Sequence, residues 1–245
     1  MKESLKNRFR LFLASTQGVE VIDDLISFGT YKNKQRADYL FADRRIVIEL
    51  KTFMTDPSPK VEKELNKHES RDDYPVSYGK VELQEILQHL PDGEKINKRI
   101  YRKVTRSVKN AIRSAEDQIR DTKEIFALNE SVGLLVLLNE DISVLAPEIV
   151  VHKASELLSR KNKATETEVP IDFVWLIVES HVSELPENTY AFPSVLLKGS
   201  RADALGWFTE PFERLQKAWA KFNNAPLVQS SIEKITELSF RTLHK

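Results

Sequence analysis

Three charged residues stand where charge is costly to bury. Asp38, Glu49 and Lys51 fall within the stretch from Gln35 to Phe53, QRADYLFADRRIVIELKTF. It reads as two adjacent strands joined by a tight turn at Ala42-Asp43-Arg44, with Asp38 inside the first strand and Glu49 and Lys51 two residues apart in the second. Ile46, Val47, Ile48 and Leu50 make the second strand almost wholly apolar, the pattern of a strand buried inside a mixed sheet. A carboxylate and an ammonium facing the same way from such a strand must be paired or given an ion. With the turn centred near Asp43, a hairpin brings Asp38 close to Glu49, within about one residue of register. Two carboxylates, a main-chain carbonyl and waters make the hard oxygen site that Mg²⁺ or Mn²⁺ prefers. Lys51 shares the face of Glu49 because side chains alternate along a strand. There it can orient a water or stabilise charge developing on a phosphate. The plainer alternative is an Asp38–Lys51 ion pair at a sheet end, with Glu49 at the surface.

The elements that must hold these residues follow from periodicity. Residues 3 to 28 read as helical, with Leu5, Phe9, Phe12 and Leu13 on one apolar face. Gly18 divides them, and a second helix carries Val19, Ile22, Leu25 and Ile26 inward and stops near Gly29. A further strand is expected around residues 27 to 31. Residues 54 to 93 are charged, rich in Pro and Asp, and weakly periodic, so they read as an exposed insertion containing a short helix over residues 81 to 90. A long helix over residues 95 to 128 carries the stripe Ile96, Ile100, Val104, Val108, Ala111, Ile112, Ala115, Ile119 and Phe126. Residues 132 to 139 and 171 to 179 read as buried strands. Between them Pro147 opens a helix reaching about Arg160. Residues 190 to 198 are one more expected strand. Residues 202 to 222 form an aromatic-rich helix that Pro211 kinks or splits, and a last helix or tail covers residues 231 to 243. Strands alternating with helices give an α/β class with a mixed central sheet flanked by helices and a helical C-terminal tail. One domain over residues 1 to 200, with the insertion at 54 to 93, and a helical extension over 201 to 245 packed on it, is the expected organisation.

The constellation Ala37-Asp38, an eleven-residue step, then Glu49-Leu50-Lys51-Thr52 resembles the PD-(D/E)XK nuclease superfamily, the restriction-endonuclease-like fold. Gly18-Val19-Glu20 followed by Gly29 is similar to the first helix of archaeal resolvase-type members. The resemblance covers about residues 18 to 139, with Ala37 in place of the usual proline. It implies a core of helix, three strands, helix and strand, and divalent-metal-dependent hydrolysis of DNA phosphodiesters, in a restriction, defence or mobile-element setting. It also implies that Asp38 and Glu49 hold Mg²⁺ or Mn²⁺ with help from Glu20, and that Lys51 works at the nucleophile or scissile phosphate. A glutamine on the following helix belongs near the site. Gln118 is the first candidate, and Gln84 and Gln88 compete if the short helix takes that role. A catalytically inactive module of the same fold, binding nucleic acid or a protein partner, is the alternative. Many relatives cut as dimers, so a homodimer or a partner protein of a defence complex is a further expectation.

Composition narrows the field. The chain has 245 residues, 41% hydrophobic and 30% charged, enough to bury a core and stay soluble. Its formal net charge is zero, so affinity for nucleic acid must come from a local patch. Lys95, Arg99, Arg102, Arg106, Lys109 and Arg113 recur three or four apart on the long helix, a cationic stripe able to meet phosphates, with Lys103 on its flank. The chain has no cysteine, which excludes disulfides and thiolate metal sites. The five histidines lack ligand spacing, and no glycine-rich phosphate loop or serine elbow is present. No signal-peptide pattern and no run near the roughly 20 apolar residues of a membrane span occur, so a cytoplasmic protein without membrane partners is expected.

Overall fold

The computed structural model describes residues 3–26, 34–76, 78–79, 81, 83–160, 169–185, 189–228 and 239–243. Helix α1 (Leu5–Ser15) is capped by the Ser4 hydroxyl, which accepts from the Asn7 amide, and buries Leu5, Phe9, Phe12 and Leu13. Gly18, at φ +80°, turns the chain where a side chain would be strained. A strand follows in place of the expected helix, β1 (Val19–Val21), and then a single turn, α2 (Ile22–Leu25). Two β-branched valines flanking one outward residue suit a sheet edge better than a helix. Strands β2 (Tyr39–Phe41) and β3 (Ile46–Thr52) form the anticipated hairpin. Its turn places Ala42, Asp43 and Arg44 all at positive φ, 54°, 55° and 62°.

The segment expected as an exposed insertion contains α3 (Ser58–Leu65) as well as α4 (Leu83–Gln88). Both lie against α5 (Gly93–Val104), and Val61, Leu65 and Leu83 pack on the main core. The expected long helix is two helices, α5 and α6 (Arg106–Ile125). They part at Thr105, whose hydroxyl donates to the Tyr101 carbonyl at 2.7 Å and whose backbone leaves helical values. The apolar stripe survives the break: Ile96, Ile100, Val104, Val108, Ile112, Ala115 and Ile119 are all buried.

Strand β4 (Val132–Asn139), helix α7 (Pro147–Leu158) and strand β5 (Phe173–Val178) follow as anticipated. The single strand expected over residues 190 to 198 is divided. Pro193, which has no N–H for a ladder, separates β7 (Thr189–Ala191) from β8 (Ser194–Lys198). Before them β6 (His181–Leu185) and, near the end, β9 (Phe240–Thr242) complete a small second sheet in the order β7-β6-β9. Helix α8 (Thr209–Phe222) starts after two 3-10 turns over residues 202–204 and 206–208. Pro211 therefore sits in its first turn, where no N–H partner is lost, and neither kinks nor splits it. The strand expected around residues 27 to 31 and the tail helix up to residue 238 lie outside the described residues.

The main sheet has six strands in the order β1-β2-β3-β4-β5-β8. Strands β3, β4 and β5 are parallel, and the other neighbours are antiparallel. This is an α/β architecture with a mixed sheet between two helical layers. Val47, Leu135, Leu137, Val174 and Leu176 point to the layer of α5, α6 and α7. Ile46, Ile48, Leu134, Val136, Phe173 and Trp175 point to α1 and α8. The central strands alternate between two apolar layers, so any charge on them is buried by default.

Candidate active site

Strand β2 is short, and the site begins where it stops. Tyr39 pairs with Ile48, and continuing that register sets Asp38 opposite Glu49. The Asp38 amide donates to the Ile48 carbonyl at 3.1 Å. One step further along β3, the Leu50 amide donates to Asp38 Oδ2 at 2.8 Å, so a carboxylate takes the place of the missing ladder residue. Asp38 thus stands just before the strand that was expected to contain it. The chain leading to it is anchored on α6: the Gln35 amide donates to Asp121 Oδ2 at 2.7 Å, and the Ala37 amide to Thr122 Oγ1 at 2.8 Å.

Glu49 and Lys51 face α6, on the same side as Val47. Glu49 is only 1% exposed. Its Oε1 accepts from Lys51 Nζ at 2.7 Å, while its Oε2 is buried with no hydrogen-bond partner. Burial first, and then the negative charge of Asp38, push the Glu49 carboxyl up to about 8 against the opposing pull of Lys51. The plainer arrangement is thereby excluded: Lys51 pairs with Glu49, and Glu49 is in the interior.

Gln118 reaches the same place from α6. Its Oε1 accepts from Lys51 Nζ and, at 3.0 Å, from the Ser114 hydroxyl, and its Nε2 donates to the Arg36 carbonyl at 2.9 Å. The amide therefore ties the ammonium to the segment that carries Asp38. Gln84 and Gln88 stay exposed, because α4 turns Leu87 inward instead. Ser114 is a site residue that the sequence reasoning missed, although its place one helical turn before Gln118 was a usable signal.

Glu20 does not join the site. Expected on a helix, it lies on edge strand β1 opposite Leu40, and Arg44 grips it with Nε at 2.9 Å from Oε1 and Nη2 at 2.6 Å from Oε2. That hydrogen-bonded pairing lowers its pKa. Asp38 and Glu49 are thus the two carboxylates that could hold a cation. The alternation of the ladder directs the Leu50 carbonyl to the same side as its amide, toward Asp38. Among the described residues no group of three or more His, Asp or Glu side chains is arranged to hold a metal ion.

The cationic stripe is only partly free. Glu64, buried on α3, takes Lys103 at 3.0 Å and Arg99 at 3.6 Å. The break at Thr105 also turns Arg106, Lys109 and Arg113 onto a separate helix from Lys95 and Arg102. Of the stripe, Lys95, Arg99, Arg102, Arg106 and Arg113 are exposed, Arg99 while 3.6 Å from Glu64. A surface concavity of about 820 Å³ lies elsewhere: Phe12, Gly18, Phe41, Ala42, Leu215 and Phe222 are among its lining residues, and none of the site residues is. No helix among the described residues is long and apolar enough to cross a membrane. Comparison with protein-family models, with curated proteins and with solved structures returned no match.

Proposed function

We propose that this chain is a divalent-metal-dependent nuclease that hydrolyses DNA phosphodiesters on a restriction-endonuclease-like core. The observation that carries this reading is the buried Glu49 Oε2, which has no donor and lies beside the Asp38 carboxylate, in a carboxyl whose pKa is raised first by burial and then by Asp38. A fold tolerates such an atom poorly unless a proton or a cation sits between the two acids. A divalent cation suits the place: two carboxylates and a main-chain carbonyl are hard oxygen donors, matching Mg²⁺ or Mn²⁺. When bound, the ion would supply Lewis acidity toward a phosphoryl oxygen and lower the pKa of a bound water.

The chain's own residues would do the rest. Asp38, fixed by the Leu50 amide, and Glu49 hold their carboxylates toward one another. Lys51, held by Glu49 and Gln118, keeps an ammonium aimed at the site, where it orients the attacking water or meets charge growing on the phosphate. Water adds to phosphorus, the bond to the leaving oxygen breaks, and a phosphate monoester and an alcohol result. The basic residues of α5 and α6 that remain exposed give the phosphate backbone a surface to lie on.

A non-catalytic nucleic-acid-binding or partner-binding module is the second reading. It draws on the diversion of Glu20 to Arg44, which leaves two acids instead of three. Cleavage of plasmid DNA with Mg²⁺ or Mn²⁺ separates the two. The nuclease reading expects Asp38→Ala and Lys51→Ala each to lower the rate by roughly 100-fold or more. If both variants cut as fast as the parent, the site is wrongly assigned, and a parent that neither cuts nor binds Mn²⁺ supports the second reading.

A further inference from the structure

Among the described residues, Arg10 is the cation that comes to Asp38 from α1, on the other face of the sheet. It follows Phe9 on α1, so the helical step of about 100° rolls it off the buried stripe and over the sheet end where β2 begins. Its guanidinium lies 4.0 Å from Asp38 Oδ1, the limit of an ion pair and too long for a hydrogen bond, and its side chain is 52% exposed. Its charge also acts on the neighbouring Tyr39 hydroxyl, countering the rise that burial and Asp38 impose there. Lys51 stands on one side of the carboxylates and Arg10 on the other.

We propose that Arg10 is a phosphate-gripping residue, taking a non-bridging oxygen of the nucleic-acid backbone beside the Asp38–Glu49 pair. The inference rests on the nuclease reading for its substrate class. A guanidinium presents five N–H donors in a rigid fork that matches phosphate geometry; at 4.0 Å Asp38 does not take a hydrogen bond from it, and its contact with the Tyr39 hydroxyl leaves further N–H donors for a phosphate. A cation seated between the carboxylates would take up the charge of Asp38 and repel Arg10, so the guanidinium turns to the incoming anion. If Arg10 serves only to neutralise Asp38, its removal changes stability and leaves nucleic-acid binding alone.

Binding of a short DNA duplex to the full chain, measured by fluorescence anisotropy over a KCl series in Ca²⁺, tests this. Arg10→Ala should weaken binding about tenfold and reduce the slope of log affinity against log salt by about 0.9. Arg10→Lys should keep the slope, because the charge remains, while recovering only part of the affinity. Mn²⁺ affinity should not fall in either variant, since a positive charge near the ion is removed or retained. Unchanged duplex affinity and slope in Arg10→Ala overturn the proposal. A parent that takes up no Mn²⁺ refutes the metal reading instead, and the salt slope still reports on Arg10.

Discussion

Two buried carboxylates in this molecule are treated in opposite ways. Asp172, just ahead of β5, is 1% exposed and fully served. Its Oδ1 accepts from Arg201 Nε at 2.8 Å, and its Oδ2 accepts from the Gly133 amide at 2.8 Å and from Arg201 Nη2 at 3.0 Å. Lys123 Nζ stands 3.7 Å away. Glu49, on β3 in the same sheet, is just as buried, yet one of its oxygens has no donor and its nearest charged neighbours include another acid. The first arrangement ties β4, α6 and the chain after β8 together and needs nothing more. The second leaves one oxygen without a donor unless a proton on Glu49 is shared with Asp38. The difference between a carboxylate that holds the fold and the one proposed to take a cation is therefore in the donors around it, since burial is the same.

That contrast can be broken first through stability. Asp172→Ala leaves Arg201 and Lys123 without their buried partner and should cost about 3–5 kcal/mol in urea unfolding. Glu49→Gln should behave in the opposite way in metal-free protein above pH 8, where it removes an unfavourable buried charge. A loss of similar size at both positions would erase the distinction.

The next effect depends on pH. The folded Glu49 carboxyl, at about 8, lies above its ordinary value of 4.5, so the folded state holds the proton more tightly than the unfolded chain does. The stability this contributes is fully present below about pH 4.5 and is lost as pH rises through about 8. At about 1.4 kcal/mol for each pKa unit, the change amounts to a few kcal/mol. Thermal melts in EDTA across that window should show the parent falling relative to Glu49→Gln. Parallel curves for the two proteins would contradict the elevated pKa.

A smaller effect is expected at Gln118. Gln118→Ala frees Lys51 from one of its two anchors, so kcat should fall about tenfold with little change in KM. Smallest is Glu20→Ala. Its partner Arg44 is at the surface, so the loss should stay within about 1 kcal/mol and cleavage should change less than about threefold. A collapse of activity there would return Glu20 to the site.

The hairpin was legible because its signals are local. An apolar run interrupted by Glu49 and Lys51, a tight turn and a two-residue side-chain period set the register that puts Asp38 opposite Glu49. Gln118 was named because the resemblance asks for a glutamine on the helix after the hairpin, and its place one turn before Thr122 and one turn after Ser114 sets it on the side of α6 that meets Lys51. Glu20 was misplaced because three residues are too few for a period to distinguish, and the partnership with β2 made β1 a strand. Thr105 divides a helix whose apolar stripe runs on unbroken, so the pattern alone showed no gap. Glu64 reads as one more charge in a charged segment, and only the docking of α3 on α5 buries it. Arg10 reaches Asp38 through the way α1 lies on the sheet, and no spacing in the chain records that.

Asp38 and Glu49 are proposed to form a divalent-cation site together. Calorimetric titration of the metal-free chain with Mn²⁺ at pH 7, repeated in buffers of different ionisation heat, tests it most directly. Saturable uptake of one ion with release of a proton from Glu49 is expected, and no such uptake by Asp38→Ala. Absence of binding heat in the parent, or equal binding by Asp38→Ala, would contradict it.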